Sequence, residues 1–305
     1  MTDWQLTTPV AFIIFNRPDT TERVFAEIAK AKPQKLLVVA DGPRANRAGE
    51  ADKCAATRKI IDRIDWDCEV LTNFSEVNLG CKRRVSSGID WVFEQVDEAI
   101  ILEDDCLPDP TFFRYCQELL ERYRDDQRVG MISGDNFQFG NRRSVDSYYF
   151  SKYVHIWGWA TWRTRWASSY DVNLAKWPRI RDEERLTDMV GDAREAAFWQ
   201  KIFERVHRGE IDTWDYQWVF SNWLEGRVNI LPSVNMISNI GFSEDATHTT
   251  GASDLANLAT NPTEFPLKHP LGVFKNIQAD KFSETQCFRV SLIKRVHNKI
   301  TGWLR

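Results

Sequence analysis

The sequence predicts an α/β fold built on a mostly parallel central sheet. From Val10 to Ser133, short apolar runs alternate with longer segments whose apolar residues recur at helical spacing, as in repeated β-strand and α-helix units. With 305 residues, 43% of them hydrophobic, the chain can bury a substantial core. The predicted strands cover residues 10–16, 35–40, 68–72, 99–102 and 129–133.

Two predicted helices between Val10 and Ser133 have recognisable N-terminal starts. Asp19 and Glu22 have the spacing of a capping box, which predicts a helix through about Ala31. Asp109, with Pro110 at the first helical position, starts a second predicted helix with a single apolar stripe, which we expect in the core. The stripe consists of Phe112, Phe113, Cys116, Leu119, Leu120 and Tyr123.

The pattern changes after Ser133, where tryptophan and tyrosine become frequent and charged helical segments cover about residues 182–207. We expect an α+β half that shares the sheet. The predicted divisions are residues 1–135, residues 136–245 of the same domain, and residues 246–305 as a loop or lid with a C-terminal amphipathic helix. That last helix either docks on its own domain or lies on an anionic membrane surface.

Composition excludes several classes of protein. The net charge of −4, from 44 acids and 40 bases, argues against a nucleic-acid-binding surface. Six cysteines are dispersed without CxxC spacing, which is typical of reduced thiols and not of a zinc or disulfide framework. No apolar run approaches the ~20 residues of a membrane span, and the first residues lack the features of a secretion signal. We therefore expect a cytoplasmic protein, with contact to the inner face of the membrane if the tail binds there.

Three consecutive acids follow the strand predicted at 99–102: Glu103, Asp104 and Asp105. Ligands of open α/β sheets bind outside the carboxyl ends of the strands. Because adjacent carboxylates repel one another, a cation is the expected compensator, and oxygen ligands favour Mg²⁺ or Mn²⁺. The alternative is a solvated turn before the next helix.

Other charged residues also follow strands. Arg17 comes after the first strand and Asp41 after the second. Arg83 and Arg84, with Lys82, fall in the first turn of a predicted helix, where cations oppose the helix dipole. A phosphate bound at that helix start would explain them, although a solvated basic turn is an equal alternative.

In order along residues 9 to 242, the chain resembles glycosyltransferases of the GT-A fold, and most closely the inverting N-acetylglucosaminyltransferase I group. The segments that carry the resemblance are "IIFNRPD", "VVADGPR", "KRRVSSGIDWVF", "AIILEDDCLPDPTFFRYCQELL", "WGWATWRTRW", "WDYQWV" and "ILPSVNMISNIGF". The resemblance implies that the first half binds the nucleotide-sugar and the second half the acceptor.

Position by position, the resemblance implies roles for individual residues. Arg17 and Asp41 would hold the nucleotide base, and Arg83 or Arg84 would support the donor. Glu103 and Asp104 would contact ribose and base, and Asp105 would bind the divalent metal, typically Mn²⁺, that bridges the pyrophosphate of a UDP-sugar. His248 is a looser match for a further metal ligand, and an ordinary loop histidine is the alternative.

The acceptor hydroxyl needs a general base, for which we select Asp215. It lies between Trp214 and Trp218, whose apolar surfaces would orient and partly desolvate a carboxylate, and it falls in the segment similar to the "WD" segment of the family. A helix-capping role is compatible. Asp212 is the near alternative, and Glu244 and Asp245 are more distant ones. Direct displacement with this base would invert the anomeric configuration.

The segment 155–166 contains four tryptophans. Trp157 and Trp159 are predicted to contact acceptor or donor through their indole faces, and Gly158 would let the backbone approach a ligand closely. Burial of the tryptophans in the core is the alternative.

Together these features predict a metal-dependent inverting glycosyltransferase that moves a sugar, with N-acetylglucosamine as first candidate, from a UDP-sugar to a glycan hydroxyl. A lipid-linked acceptor would suit a membrane-bound tail. One alternative is a non-catalytic carbohydrate-binding or membrane-associated protein. The other is a sugar nucleotidyltransferase, which the absence of glycine in "FNRPDTTERV" disfavours.

Overall fold

A computed structural model describes residues 4–242 and 255–288 of the protein. Its central feature is an eight-stranded sheet in the order β3-β2-β1-β4-β8-β6-β9-β7. Six strands are parallel, and β7 and β8 run antiparallel to them. The strands found in the described residues are β1 Val10–Ile14, β2 Lys35–Ala40, β3 Glu69–Phe74, β4 Glu98–Glu103, β5 Cys106–Pro108, β6 Val129–Ser133, β7 Tyr148–Ser151, β8 Trp159–Trp162, β9 Val228–Pro232 and β10 Ile237–Asn239.

This arrangement confirms the predicted α/β class, a Rossmann-like mostly parallel sheet flanked by helices, and the sharing of one sheet by both halves. Three of the four strands that follow residue 135 belong to the main sheet. The fourth, β10, pairs antiparallel with β5 in a separate two-stranded sheet.

The helices cover both faces of the sheet. They are α1 Pro18–Ala31, α2 Glu50–Lys59, α3 Gly80–Gln95, α4 Thr111–Tyr123, α5 Arg163–Ser169, α6 Trp177–Asp182, α7 Leu186–Val190, α8 Ala193–His207, α9 Asp215–Leu224 and α10 Ile277–Ser283. A short 3₁₀ helix, Ile60–Arg63, follows α2, and a π-helical turn, Glu284–Phe288, follows α10.

The start of α1 differs from the sequence prediction. Arg17 is the N-cap, no side chain caps the helix, and Pro18 is its first residue. The capping box predicted at Asp19 and Glu22 is therefore wrong, because Pro18, whose fixed φ suits a first helical residue, already starts the helix. In α4 the apolar stripe is buried as predicted, and Asp109 accepts a hydrogen bond from the Thr111 N–H at 2.9 Å.

The core has two layers, one on each face of the sheet. Along β4, Ile100 and Leu102 face the layer that contains α1 and α4, whereas Ala99 and Ile101 face α3 and α9. The second layer contains a cluster of stacked and tilted tryptophans, namely Trp159, Trp166, Trp214 and Trp218. These rings fix α5 and α9 against the sheet.

The topology creates a crevice between β1 and β4. The chain runs outward from β1 through β2 to β3, and then returns to place β4 on the other side of β1. Such a reversal is where open α/β sheets bind ligands, outside the carboxyl ends of the strands. Arg17 and the acids Glu103 to Asp105 follow the two strands that border the crevice.

Within residues 4–242 and 255–288, no helix is long and apolar enough to cross a membrane. The predicted C-terminal amphipathic helix lies almost entirely outside the described residues. So do His248, Glu244 and Asp245, and their predicted roles stay predictions.

Candidate active site

Arg17 bridges two of the three consecutive acids at the end of β4. Its Nη2 pairs closely with Asp104, and its Nη1 lies 3.0 Å from Oδ2 of Asp105. Asp104 is 2% exposed and also accepts the N–H of Phe15 at 3.0 Å. Burial alone would lower the pKa of Arg17, but the two carboxylates raise it above its ordinary value, so the guanidinium remains charged.

Glu103, the last residue of β4, lies on the same face of the sheet as Ile101, the face that α3 covers, because alternate side chains of a strand share a face. Its carboxyl group keeps some solvent contact but is surrounded by protein on most sides. Burial, followed by the charges of Asp105 and Asp104, raises the pKa of Glu103 well above its usual range. Three carboxylates thus share one guanidinium, and the cluster has an excess of negative charge.

The segment after β10 covers the pair formed by Arg17 and Asp105. The N–H of Ile240 donates to the carbonyl of Asp105 at 2.9 Å. A Cβ atom on Gly241 would lie 2.2 Å from Oδ2 of Asp105 and 2.7 Å from Nη1 of Arg17. Only a residue without a side chain fits there, which gives the glycine of "SNIGF" a role that sequence reasoning missed.

Asp41 holds a loop in place. Its carboxylate accepts the N–H groups of Gly42 and Leu79 at 2.9 Å and of Gly80 at 3.1 Å, together with the side-chain amide of Asn78 at 2.9 Å. It is 6% exposed, and burial raises its pKa despite these bonds. The structure therefore gives Asp41 a structural role where the sequence predicted contact with the nucleotide base.

The start of α3 is occupied by carboxylates. Asp212 accepts the N–H of Cys81 at 3.2 Å and that of Lys82 at 3.1 Å, and Asp41 accepts the two preceding N–H groups. The phosphate site predicted at this helix start is therefore wrong, because two acids from distant segments already satisfy its backbone donors and offset its cations.

The two arginines of that turn point to different places. Arg84 is 5% exposed and its Nη2 donates to the side chain of Asn73 at 2.8 Å, so it is part of the interior beside Asp41. Arg83 is exposed and lines a separate cavity with residues of α3 and the segment that follows α5. The structure thus places neither arginine at the crevice between β1 and β4.

Asp215 is the first residue of α9. Its Oδ1 accepts the hydroxyl of Thr213 in a close contact and the N–H of Tyr216 at 2.9 Å. Trp214 and Trp218 are 2% and 0% exposed, so the predicted apolar wall on its core side is present. The carboxylate itself is partly accessible.

The thiol of Cys81 marks the point where these acids converge. Burial raises its pKa above the ordinary value, and the negative charges of Glu103, Asp215, Asp212 and Asp41 raise it further. The acids that follow β2 and β4 and those next to α9 therefore lie around one volume at the sheet edge. The sequence predicted Asp41, Glu103 and Asp215 for one site, with Asp212 as an alternative base.

The three residues predicted to contact sugar have different environments. Trp159 is 0% exposed and stacks on Trp214, with 5.7 Å between ring centroids, so it belongs to the core and the predicted sugar contact is wrong. Gly158 has a φ of +60°, and a Cβ there would lie 2.5 Å from Ile237. Glycine is thus required at this position by the packing of Ile237, and not by the approach of a ligand. Trp157 is only partly buried and packs edge-on against Phe242.

A buried hydrogen-bonded pair, His155 and Asp135, that sequence reasoning missed supports Trp157. Nδ1 of His155 lies 2.6 Å from Oδ1 of Asp135, and the other oxygen of Asp135 accepts the N–H of Trp157 at 3.2 Å. The His155 ring stacks on Phe137 with 4.6 Å between centroids. Because 20 residues separate the two partners, no local sequence pattern indicated the pair.

Asp105 is the acid of this cluster that could bind a metal ion shared with a ligand. Among the described residues, no group of three or more His, Cys, Asp or Glu side chains has the geometry of a metal site. Asp104 is occupied by Arg17 and Phe15, whereas Asp105 is partly exposed. Mg²⁺ and similar ions often bind one or two carboxylates and take their other ligands from phosphates and water.

Comparisons with known proteins show only remote likeness. The chain matches no protein-family model and no curated protein sequence. Among solved structures, 4-diphosphocytidyl-2C-methyl-D-erythritol synthase from Anaerococcus prevotii is 10% identical, with a TM-score of 0.38 over 78% of this chain and 93% of that one. UDP-glucose pyrophosphorylase complexed with UDP-glucose is 9% identical, with a TM-score of 0.26 over 47% of this chain and 62% of that one. At this level the likenesses carry no argument about the reaction.

Proposed function

We propose that the protein is a metal-dependent inverting glycosyltransferase that moves a sugar from a UDP-sugar to a hydroxyl of a glycan. The observation that carries the proposal is the excess of carboxylates around the crevice between β1 and β4. Asp105 lies there 3.0 Å from Arg17, beside Glu103, whose pKa is raised by burial and by the charges of Asp105, Asp104 and Asp215. A cation bound with a diphosphate would balance this charge.

Asp105 is the protein ligand that we assign to the metal. Its partial exposure leaves it accessible, and Arg17 beside it can stay in contact with the same diphosphate. Mn²⁺ or Mg²⁺ held there would neutralise charge on the departing UDP. Since protein ligands alone form no cage among the described residues, metal and nucleotide should each bind more tightly in the presence of the other.

Asp215 is the general base of the proposal. The start of α9 and Thr213 fix one of its oxygens, so the carboxylate has a defined orientation at the rim of the site. It would accept the proton of the acceptor hydroxyl as that oxygen attacks the anomeric carbon. Because attack comes from the side opposite the leaving diphosphate, the configuration inverts. Asp212, the alternative base, is occupied as the cap of α3.

The test is the release of free nucleoside diphosphate from a panel of UDP-, GDP- and dTDP-sugars, with Mn²⁺ or with excess chelator. We expect release from a UDP-sugar that requires metal and falls at least a hundredfold in Asp105→Asn. Asp97→Asn is the matched control, because Asp97 is an exposed acid at the amino end of β4, at the other end of the strand from the site.

Two results would overturn the proposal. One is the absence of both release and metal-dependent nucleotide binding for every donor, which would favour a carbohydrate-binding protein without catalysis. The other is the formation of pyrophosphate from UTP and a sugar phosphate, which would identify a sugar nucleotidyltransferase.

A further inference from the structure

A second cavity opens on the outer side of α3, away from the crevice between β1 and β4. It is widely open to solvent, and its volume is about 570 Å³. Its lining comes from the first half of α3 and from the segment after α5. The lining residues are Leu79, Arg83, Ser86, Ser87, Asp90, Tyr170, Asp171 and Val172.

The cavity shares a wall with the candidate active site. The hydroxyl of Tyr170 donates to the carbonyl of Trp214 at 3.0 Å, directly before Asp215 in the chain. At the other end of the wall, the N–H of Leu79 donates to Asp41. Asp215 itself does not line the cavity; a ligand there would contact Tyr170, which holds the residue before the proposed base.

The lining offers both hydrogen-bond donors and acceptors. Within the described part of the chain, no acid lies within ion-pair distance of Arg83, so its guanidinium is available to a ligand. Oδ1 of Asp90 accepts the indole N–H of Trp166 at 2.7 Å, which orients that carboxylate in the cavity wall. Leu79 and Val172 add apolar surface.

The charge of the lining favours a neutral ligand. Asp90 and Asp171 contribute two negative charges against the single positive charge of Arg83. Asp171 is further held by the N–H groups of Asn173 and Ala175, so it serves mainly to shape the turn after Tyr170. An anionic sugar would experience net repulsion, whereas hydroxyl groups can pair with both signs of charge.

We propose that this cavity binds a neutral glycosyl unit, with Arg83 donating to its hydroxyl oxygens and Asp90 accepting from its hydroxyl groups. Its role as the acceptor subsite rests on the proposed function; the binding of sugar does not. The ligand class follows from the mixture of arginine, carboxylate, apolar side chains and an adjacent aromatic ring, which suits a polyhydroxylated ring with polar edges and apolar faces.

The experiment is a titration of ¹⁵N-tryptophan-labelled protein, without nucleotide or metal, followed by NMR. The reporter is the indole N–H of Trp166, which donates to Asp90 and is assigned with the variant Trp166→Phe. The probes are the methyl β-glycosides of glucose, galactose and N-acetylglucosamine, with methyl β-glucuronide as the charged counterpart.

We expect at least one neutral glycoside to shift the Trp166 signal with saturation, and the glucuronide to bind more weakly. Arg83→Gln and Asp90→Asn should each weaken that binding by roughly tenfold, since each removes a charged hydrogen-bonding partner. Asp90→Asn keeps an oxygen that can accept the Trp166 bond, so it tests binding without loss of the wall. Arg128→Gln should leave binding unchanged, because Arg128 lies at the amino end of β6 and does not line the cavity.

The proposal is overturned if no neutral glycoside shifts the signal, if the glucuronide binds as tightly as the best neutral probe, or if both variants bind like the wild type. Because the titration contains no donor, its failure is distinguishable from failure of the proposed function. Donor cleavage with no sugar binding would refute only the cavity. Sugar binding with no donor cleavage would refute only the transferase.

Discussion

Replacing Arg17 with methionine should cost more stability than replacing any exposed arginine. The substitution keeps much of the side-chain length but leaves Asp104, 3% exposed at its side chain, without its ion-pair partner. Breaking a buried pair from one side typically costs about 3–5 kcal/mol. The Arg17 side chain is 26% exposed and Asp104 keeps the N–H of Phe15, so we expect the lower end, about 3 kcal/mol.

The loss should depend on pH in a defined direction. Burial, opposed by Arg17, already raises the pKa of Asp104, and removal of Arg17 should raise it further. A carboxyl group whose pKa is raised on folding adds stability at low pH and loses it as the pH rises through the folded-state pKa. The gap between Arg17→Met and the wild type should therefore be widest near pH 8 and narrow toward pH 5.

Urea denaturation at pH 5 and pH 8 measures both effects. Arg124→Met is the matched control, because Arg124 pairs with Glu98 and Glu121 at the surface and should cost at most about 1 kcal/mol. The double variant Arg17→Met with Asp104→Asn should recover most of the loss. Equal losses for both arginines, or a gap that widens toward pH 5, would refute the reasoning.

Three further predictions concern neighbouring residues. Glu103→Gln should stabilise the protein near pH 8 and have little effect near pH 4.5, because the raised pKa of Glu103 makes its ionisation destabilising; urea denaturation at both pH values tests this. Asp215→Asn should lower sugar transfer by about 10²–10⁴-fold, whereas Asp212→Asn should cost only the cap of α3, about 1 kcal/mol of stability, and retain most transfer. Trp159→Ala should lose about 3–5 kcal/mol in the same denaturation assay, since the ring is fully buried. Loss of transfer in Asp212→Asn but not in Asp215→Asn would reverse their roles.

Four strands of the first half were predictable because each is a short apolar run buried on both faces of a mostly parallel sheet. The strands β1, β2, β4 and β6 occur where the sequence places them. β7 and β10, by contrast, have four and three residues with tyrosine, serine or asparagine among them. Such segments become strands because neighbours offer backbone partners, and no local pattern contains that information.

The sequence predicted where the site lies on the sheet, but not which group each of its carboxylates binds. Parallel strands end at one edge, which is why Arg17 and Asp105 were expected near each other. The partner of each carboxylate depends on long-range contacts: Asp212 caps α3 from 130 residues away, and Asp135 meets His155 across two segments. Because Asp41 and Asp212 accept backbone N–H groups at the start of α3, they hold the fold together. Fewer acids of the site are then accessible to a ligand or substrate.

The carboxylates at the sheet edge can therefore be sorted by the groups that already bind them. Asp104 has Arg17, and Asp41 and Asp212 have the N–H groups of α3, so their charges are compensated within the protein. Burial raises the pKa of Glu103, and its acidic neighbours raise it further than Arg17 lowers it. A folded protein retains a carboxyl group with a raised pKa at a cost in stability, and sites that bind charged ligands are where that cost is commonly found. Glu103 thus identifies where an external positive charge or donor should bind, beside Asp105.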